Sequence, residues 1–136
     1  MKTIFACLFG LLALLPCVPR QAYADILQVR VDLSEQRMRI YMDNRKLYLW
    51  PISSARAGKV TPVGTFQPQF LSANHKSSLY NDAPMPWSVF FHGNYAIHGT
   101  TEVAKLGRPA SAGCIRLHPD HAHILFDLVR KTGKED

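Results

Sequence analysis

The sequence predicts a mainly β, single-domain protein with a sandwich-like or barrel-like architecture and one helix at its C-terminal end. Short segments of alternating apolar and polar residues recur between residues 26 and 98, separated by glycine, proline and asparagine. This is the pattern of half-buried strands joined by turns. Apolar residues then recur at helical spacing after Pro119. Of the 136 residues, the 112 that follow residue 24 are enough to enclose one hydrophobic core.

The first 24 residues are predicted to be a secretory signal peptide. Lys2 provides a basic start, residues 4–16 are almost wholly apolar, and Ala22 and Ala24 suit cleavage after Ala24. The apolar stretch is shorter than the roughly 20 residues of a membrane-spanning helix. We therefore expect a mature domain, residues 25–136, in the periplasm or cell envelope, with an uncleaved anchor as the alternative.

Three strands are predicted in the first half of this domain, over residues 26–32, 37–42 and 46–52. The first alternates polar and apolar residues, and the second places Met38, Ile40 and Met42 on one face. Asp43-Asn44 predicts the hairpin turn between the second and third strands. These features favour an antiparallel sheet with one buried face.

Further strands are predicted over residues 63–70, 87–92 and 95–98. Gly93-Asn94 predicts a tight turn between the last two strands. This hairpin would place His98 at the end of a strand, where a catalytic side chain has a rigid support.

Residues 72–86 are predicted to form an irregular loop, because asparagine and proline recur along them. A loop of this length is uncommon in a compact domain unless it binds something. Tyr80, Met85 and Trp87 are candidate walls of a substrate groove. Packing of Met85 and Trp87 in the core is an equally favoured alternative.

The end of the chain is predicted to be helical. Pro119 suits the first position of a helix, and Gly133 is placed to end it. Apolar residues recur between them at the spacing of one buried helix face, at Ala122, Leu125, Phe126 and Val129.

Cys114 and His98 are the candidate catalytic pair. After signal cleavage Cys7 and Cys17 are lost, and a single cysteine in an oxidising compartment is either an intermolecular partner or a reactive thiol. Gly113 predicts a tight turn that presents the thiol. A cysteine beside a histidine that accepts its proton is the minimal machinery of thiol acyl transfer. A buried, inert cysteine is the alternative.

Three blocks of the sequence resemble the L,D-transpeptidase catalytic domain family. They are TPVGTF at residues 61–66, YNDAPMPWSVFF at 80–91, and the pair formed by HGT at 98–100 and SAGCIRL at 111–117. The blocks occur in the family's order, and the resemblance covers roughly residues 26–131. Their combination is far more specific than an isolated Gly-Cys pair.

The resemblance implies the L,D-transpeptidase fold and a cysteine enzyme that forms or remodels peptidoglycan crosslinks without a cofactor. Cys114 would attack the third-position diamino acid of a stem tetrapeptide, with release of D-alanine. His98 would protonate the leaving amine and deprotonate the incoming one. The backbone N–H groups of Gly113 and Cys114 are candidate oxyanion donors. The acceptor would be an amine of another stem or of an envelope protein.

Ser111 and Arg116 are further candidate substrate-binding residues. Ser111 could instead bond within the turn, and Arg116 could form a structural ion pair. Many family members carry histidine where this chain has Ala112, and alanine would serve if only the backbone shapes the turn. Many members also continue with another strand, whereas this sequence stops at Asp136.

The helix histidines and the net charge bear on metals and partners. His118, His121 and His123 lie close together near the start of the helix, but no paired cysteines or His-Glu motif accompany them, so we predict no metal. The formal net charge is +6, which becomes +4 without Lys2 and Arg20. This charge suits an anionic surface such as cell wall or lipid head groups. We expect a monomer that acts on stem peptides and does not bind nucleic acid.

Two other functions are consistent with the sequence. The same acyl-enzyme could be resolved by water, which would make the protein a hydrolase that trims or detaches wall-linked peptides. The domain could also be a non-catalytic wall-binding module, although the presence of both His98 and Cys114 argues against this.

Overall fold

The computed structural model describes residues 25–133 together with Gly10 and residues 13–17. The predicted signal cleavage site after Ala24 falls outside these residues. Within the described ranges no helix is both long and apolar enough to cross a membrane.

The described domain contains seven strands, one α-helix and a short 3₁₀ turn at Val103–Lys105. Their bounds are β1 Leu27–Asp32, β2 Arg37–Met42, β3 Arg45–Pro51, β4 Phe70–Lys76, β5 Pro84–His92, β6 Tyr95–Gly99, β7 Ile115–Leu117 and α1 Pro119–Thr132.

The strands form two sheets. The first is an antiparallel meander in the order β1-β2-β3, and the second has the order β4-β5-β6-β7, in which β7 runs parallel to β6. Ser53, which follows β3, exchanges backbone hydrogen bonds of 2.8 and 3.0 Å with Arg116 of β7. The chain after β3 therefore ties the two sheets together. The expectation of a mainly β fold with a C-terminal helix is confirmed.

The main core lies between the first sheet, α1 and one face of the second sheet. Met38 and Ile40 contribute from β2, and Ile97 and Leu117 from the second sheet. The buried residues of α1 are the four that its sequence predicted, Ala122, Leu125, Phe126 and Val129. Pro119 begins the helix and Gly133 caps its C-terminus, also as predicted.

The predicted strand over residues 63–70 is wrong, because the chain between residues 61 and 69 is not in a strand and β4 begins only at Phe70. Pro62 and Pro68 lack the N–H that a sheet ladder needs, and Val63 is exposed.

The predicted irregular loop over residues 72–86 is too long, because β4 continues to Lys76 and β5 begins at Pro84. The actual turn spans residues 77–83. Pro84 and Pro86 are tolerated in β5 because β6 pairs only with its later part, from Val89 to His92.

Candidate active site

His98 lies on β6, and Cys114 immediately precedes β7, the strand that pairs in parallel with β6. Ile97 of β6 is opposite Ile115 of β7, and His98 is opposite Arg116. Side chains alternate between faces along a strand. Ile97 and Ile115 pack in the main core, so His98 lies on the outer face of the second sheet. Cys114 lies on the same face, because it packs on Phe90 and Ala96 there.

The orientation of the His98 ring is fixed by a backbone carbonyl. His98 is 6% exposed, and its Nδ1 lies 2.7 Å from the carbonyl oxygen of Gly99. A carbonyl oxygen can only accept a hydrogen bond, so Nδ1 carries the hydrogen and Nε2 of the neutral ring carries the lone pair. Nε2 is therefore the atom that can accept a proton from a thiol.

The pKa of His98 is lowered to about 4, chiefly by burial. The hydrogen bond to Gly99 opposes this shift, whereas Arg116 and the neighbouring His75 act in the same direction as burial. His98 is consequently a neutral base at neutral pH.

The Cys114 thiol rests on a small apolar cluster of its own. This cluster consists of Met85, Phe90 and Ala96 on the outer face of the second sheet. Cys114 Sγ donates a hydrogen bond of 3.8 Å to the carbonyl oxygen of Asn94.

Burial raises the pKa of Cys114, while the Ala96 N–H and Arg116 lower it. Together with the depressed pKa of His98, this makes the resting pair a neutral thiol and a neutral imidazole. The proton therefore stays on the thiol, and not on the imidazole, in the resting pair.

Ser111 holds the turn that carries Cys114. Its hydroxyl donates to the Cys114 carbonyl oxygen at 2.6 Å and accepts from the Gly113 N–H at 3.0 Å. Ser111 is buried, so it shapes the turn and does not face a substrate. Ala112 needs no side-chain bond in this arrangement, which agrees with a backbone role for that position.

The Gly113 N–H is already used by Ser111. Its predicted role as a free oxyanion donor is therefore not supported in this state. The hydrogen bonds that hold the turn within residues 25–133 leave the Cys114 N–H unused, so this group is the remaining candidate.

Thr61 also holds the turn and the Tyr95 ring packs against it, and the sequence predicted neither contact. Thr61 donates from its hydroxyl to the Gly113 carbonyl oxygen at 2.8 Å and accepts from the Ala55 N–H at 3.0 Å. Gly113 has φ +145°, and an added Cβ would lie 2.6 Å from the Tyr95 ring and 2.9 Å from the Val60 oxygen. Thr61 belongs to the TPVGTF block, but the sequence does not indicate that its hydroxyl bonds to the Gly113 carbonyl.

Arg116 forms the structural ion pair that was one of its two predicted roles. Its Nη1 lies 3.2 Å from Oε2 of Glu102, which also pairs with Lys105 at 3.0 Å. The same guanidinium lowers the pKa values of both His98 and Cys114. Arg116 thus contributes positive charge to the site, and a contact with substrate stays a prediction.

The three predicted groove residues have separate positions. Met85 is buried beneath Cys114, and Tyr80 is exposed in the turn after β4. Trp87 does not wall the groove, because it stacks on His123 of α1 at 3.8 Å and contacts Phe126 edge-on at 5.2 Å. The alternative prediction, that Trp87 packs against the core, is therefore correct for this residue.

The helix histidines have capping and packing roles. His118 accepts a hydrogen bond from the Asp120 N–H at 3.1 Å at the start of α1. His121 stacks on Trp50 at 4.7 Å, and His123 stacks on Trp87. No three metal-ligating side chains converge in the described part of the chain.

The arrangement defines a class of protein: a mainly β domain with a cysteine–histidine pair on a sheet face. The family model described as the L,D-transpeptidase catalytic domain, YkuD, matches residues 27–134. The chain therefore belongs to the L,D-transpeptidase catalytic domain family.

The curated YkuD protein of Bacillus licheniformis, named as an L,D-transpeptidase, is 28% identical over 102 residues, which are 75% of this chain and 59% of that protein. The chain thus spans about 59% of the length of this curated relative.

Solved structures have the same fold. The LD transpeptidase LdtMt1 in complex with imipenem superimposes with a TM-score of 0.71 at 22% identity, covering 76% of this chain and 55% of that one. The L,D-transpeptidase of Xylanimonas cellulosilytica gives a TM-score of 0.67 at 26% identity, covering 80% and 56%.

Proposed function

We propose that this domain is an exported cysteine L,D-transpeptidase that acts on peptidoglycan stem tetrapeptides. The observation that carries the proposal is the shared sheet face of His98 and Cys114, with the His98 ring oriented by the Gly99 carbonyl. Membership of the family supports the reaction class.

The first half of the reaction forms an acyl-enzyme. The Cys114 thiol leaves the Asn94 carbonyl, and His98 Nε2 takes its proton as Sγ attacks the carbonyl carbon of the third-position diamino acid. The Cys114 N–H donates to the oxyanion. The imidazolium then gives its proton to the departing D-alanine amine, which leaves a thioester on Cys114.

The second half transfers the acyl group to an amine. Neutral His98 accepts a proton from the incoming amine as its nitrogen attacks the thioester carbonyl. The C–S bond breaks and the thiol of Cys114 is restored with that proton. The acceptor amine belongs to another stem, which gives a crosslink between third positions, or to an envelope protein.

The proposal places the mature domain, residues 25–136, in the periplasm or cell envelope, acting as a monomer. The apolar residues 4–16 and the Ala22-Tyr23-Ala24 sequence support export. Intact mass of the exported protein should show a chain that starts at Asp25, and a recovered chain still carrying residues 1–24 would contradict cleavage.

Mass spectrometry of the mature protein with a purified tetrapeptide tests the reaction. We expect a thioester adduct on Cys114, free D-alanine, and a crosslinked product when an acceptor amine is added. A tripeptide product in the presence of acceptor would instead indicate hydrolysis.

A β-lactam provides a second probe, because a solved relative is a complex with imipenem. We expect imipenem to add its mass to this protein and to leave Cys114→Ser unmodified. An adduct that persists in Cys114→Ser would place the nucleophile elsewhere.

A further inference from the structure

A row of apolar side chains crosses the second sheet and ends at Cys114. Phe70 of β4 is opposite Phe90 of β5, and Phe90 is opposite Ala96 of β6. Because Ile97 is opposite Ile115, the next position over from Ala96 is Cys114. We call these four residues the apolar row. Strands lie about 4.8 Å apart, so three steps put Phe70 roughly 14 Å from Cys114.

The outer end of the apolar row is an exposed aromatic ring. The rings of Phe70 and Phe90 stack with centroids 4.3 Å apart and planes at 3°, and His75 contacts Phe90 edge-on at 4.8 Å. Phe90 is only 4% exposed, whereas Phe70 is 52% exposed. Phe70 therefore covers its neighbour with one face and offers apolar surface to solvent on the same side of the sheet as the thiol.

We propose that the Phe70 ring binds the sugar to which a donor stem is attached, so that the preferred donor is a glycan-linked stem and not a free peptide. This inference rests on the proposed function of Cys114. A sugar ring has one face rich in C–H groups, which packs on an aromatic face and removes apolar surface from water. Phe70 presents such a face.

The length of the stem fits the apolar row. In the proposed reaction the carbonyl at Cys114 belongs to the third stem residue. An extended chain spans about 3.3–3.6 Å per residue, so three residues cover about 10–11 Å, and the link to the sugar adds a few ångströms. The sugar then reaches the distance of roughly 14 Å that separates Phe70 from Cys114.

The opposite orientation of the donor fits less well. The leaving D-alanine ends in a carboxylate, and the apolar row offers it no permanently charged partner, since its polar neighbour is the His75 imidazole beside Phe90. Arg116 supplies the positive charge of the site, on β7 at the other edge of the row. The permanent charge of Arg116 thus favours the sugar side of the stem, and not its carboxylate end, along the row.

Binding to the Cys114→Ser variant tests the proposal without turnover. Calorimetry would compare a disaccharide-linked tetrapeptide with the same free tetrapeptide. We expect the disaccharide to lower Kd about tenfold, as burial of part of one aromatic face would give. Adding Phe70→Ala should abolish this difference while the Kd of the free tetrapeptide changes less than about twofold. Phe70→Tyr, which keeps the aromatic ring, should retain the difference in Kd between the two ligands.

Leu49→Ala is the matched control, because Leu49 is 48% exposed but lies on β3 of the other sheet. It should leave both Kd values unchanged. Equal Kd values for the two ligands in the parent, including no detectable binding of either, would overturn the inference. So would a Phe70→Ala loss that is equal for both ligands. Failure of the proposed function shows separately, as absence of acyl-enzyme in the protein with Cys114 intact.

Discussion

The two faces of β6 and β7 use neighbouring residues for opposite purposes. On the inner face, Ile97 and Ile115 pack with α1 in the main core. On the outer face, His98 follows Ile97 along β6, and Cys114 immediately precedes Ile115 at the start of β7. Side chains alternate at every residue, so one short pair of strands supports both a packed core and the candidate catalytic pair.

Burial also has different consequences on the two faces. On the inner face it removes apolar surface from water, which contributes roughly 1.5–3 kcal/mol for each large aliphatic side chain. On the outer face it acts on titratable groups, and it lowers the pKa of His98 and raises that of Cys114. Changes on the inner face should therefore reduce stability, and changes on the outer face should reduce the rate.

The largest expected effect is on the outer face. His98→Ala removes the base and the proton donor, so turnover of a tetrapeptide should fall by about 10²- to 10⁴-fold or more. His121→Ala, which alters a packed helix histidine, should change turnover only a few-fold. Steady-state kinetics with and without a chelator would measure both variants. Near-normal turnover by His98→Ala would contradict the assignment of Cys114 and His98 as the catalytic pair. A chelator-sensitive loss of turnover in His121→Ala would favour a metal site at the helix histidines.

Substitutions on the inner face should lower the free energy of unfolding. Leu117 of β7 is fully buried, and Leu117→Ala should lower the free energy of unfolding by about 2–5 kcal/mol. Urea unfolding followed by circular dichroism measures this loss. Turnover per folded molecule should stay within a few-fold of the parent, since Leu117 points away from Cys114. A large rate loss with unchanged stability would contradict the separation of the two faces.

A smaller effect is expected where the Cys114 turn joins the rest of the chain. Thr61→Val keeps the side-chain shape but leaves the Gly113 carbonyl and the Ala55 N–H without their hydroxyl partner. We expect a loss of about 1–3 kcal/mol in the free energy of unfolding.

Thr65→Val in the same TPVGTF block is the matched control, because Thr65 is exposed. It should cost less than about 0.5 kcal/mol. Equal losses in the two variants would mean that the Thr61 hydroxyl does not hold the turn.

The smallest effect is expected from mild acid. With the pKa of His98 at about 4, roughly nine tenths of the base form persists at pH 5, whereas an unperturbed histidine of pKa about 6.5 would retain only a few per cent. The acid limb of kcat/KM should therefore lie near pH 4, with activity lost as pH falls through that value. A limb near pH 6.5 would show that His98 is not buried as the structure has it.

The same shift predicts the pH dependence of stability. Between pH 6.5 and 4 the unfolded chain binds a proton that folded His98 does not, so folding becomes less favourable as pH falls through this range. Above pH 6.5 this contribution does not change.

The sequence by itself determined the elements whose pattern is local. The four buried positions of α1, its Pro119 start and the alternation along β1 follow from side-chain periodicity. The pair of His98 and Cys114 also came from the sequence, because histidine, glycine and cysteine in these blocks resemble one family.

Only the tertiary structure decided the features that depend on distant contacts. Strand β4 was misplaced because its pairing with β5 is not visible in local sequence. The sequence leaves Ser111 and Trp87 between a substrate contact and a structural role, whereas the fold buries Ser111 in the Cys114 turn and stacks Trp87 on α1. Thr61 gained its role from a partner 52 residues away. Periodicity specifies which face a side chain occupies, but not which part of the chain it meets there.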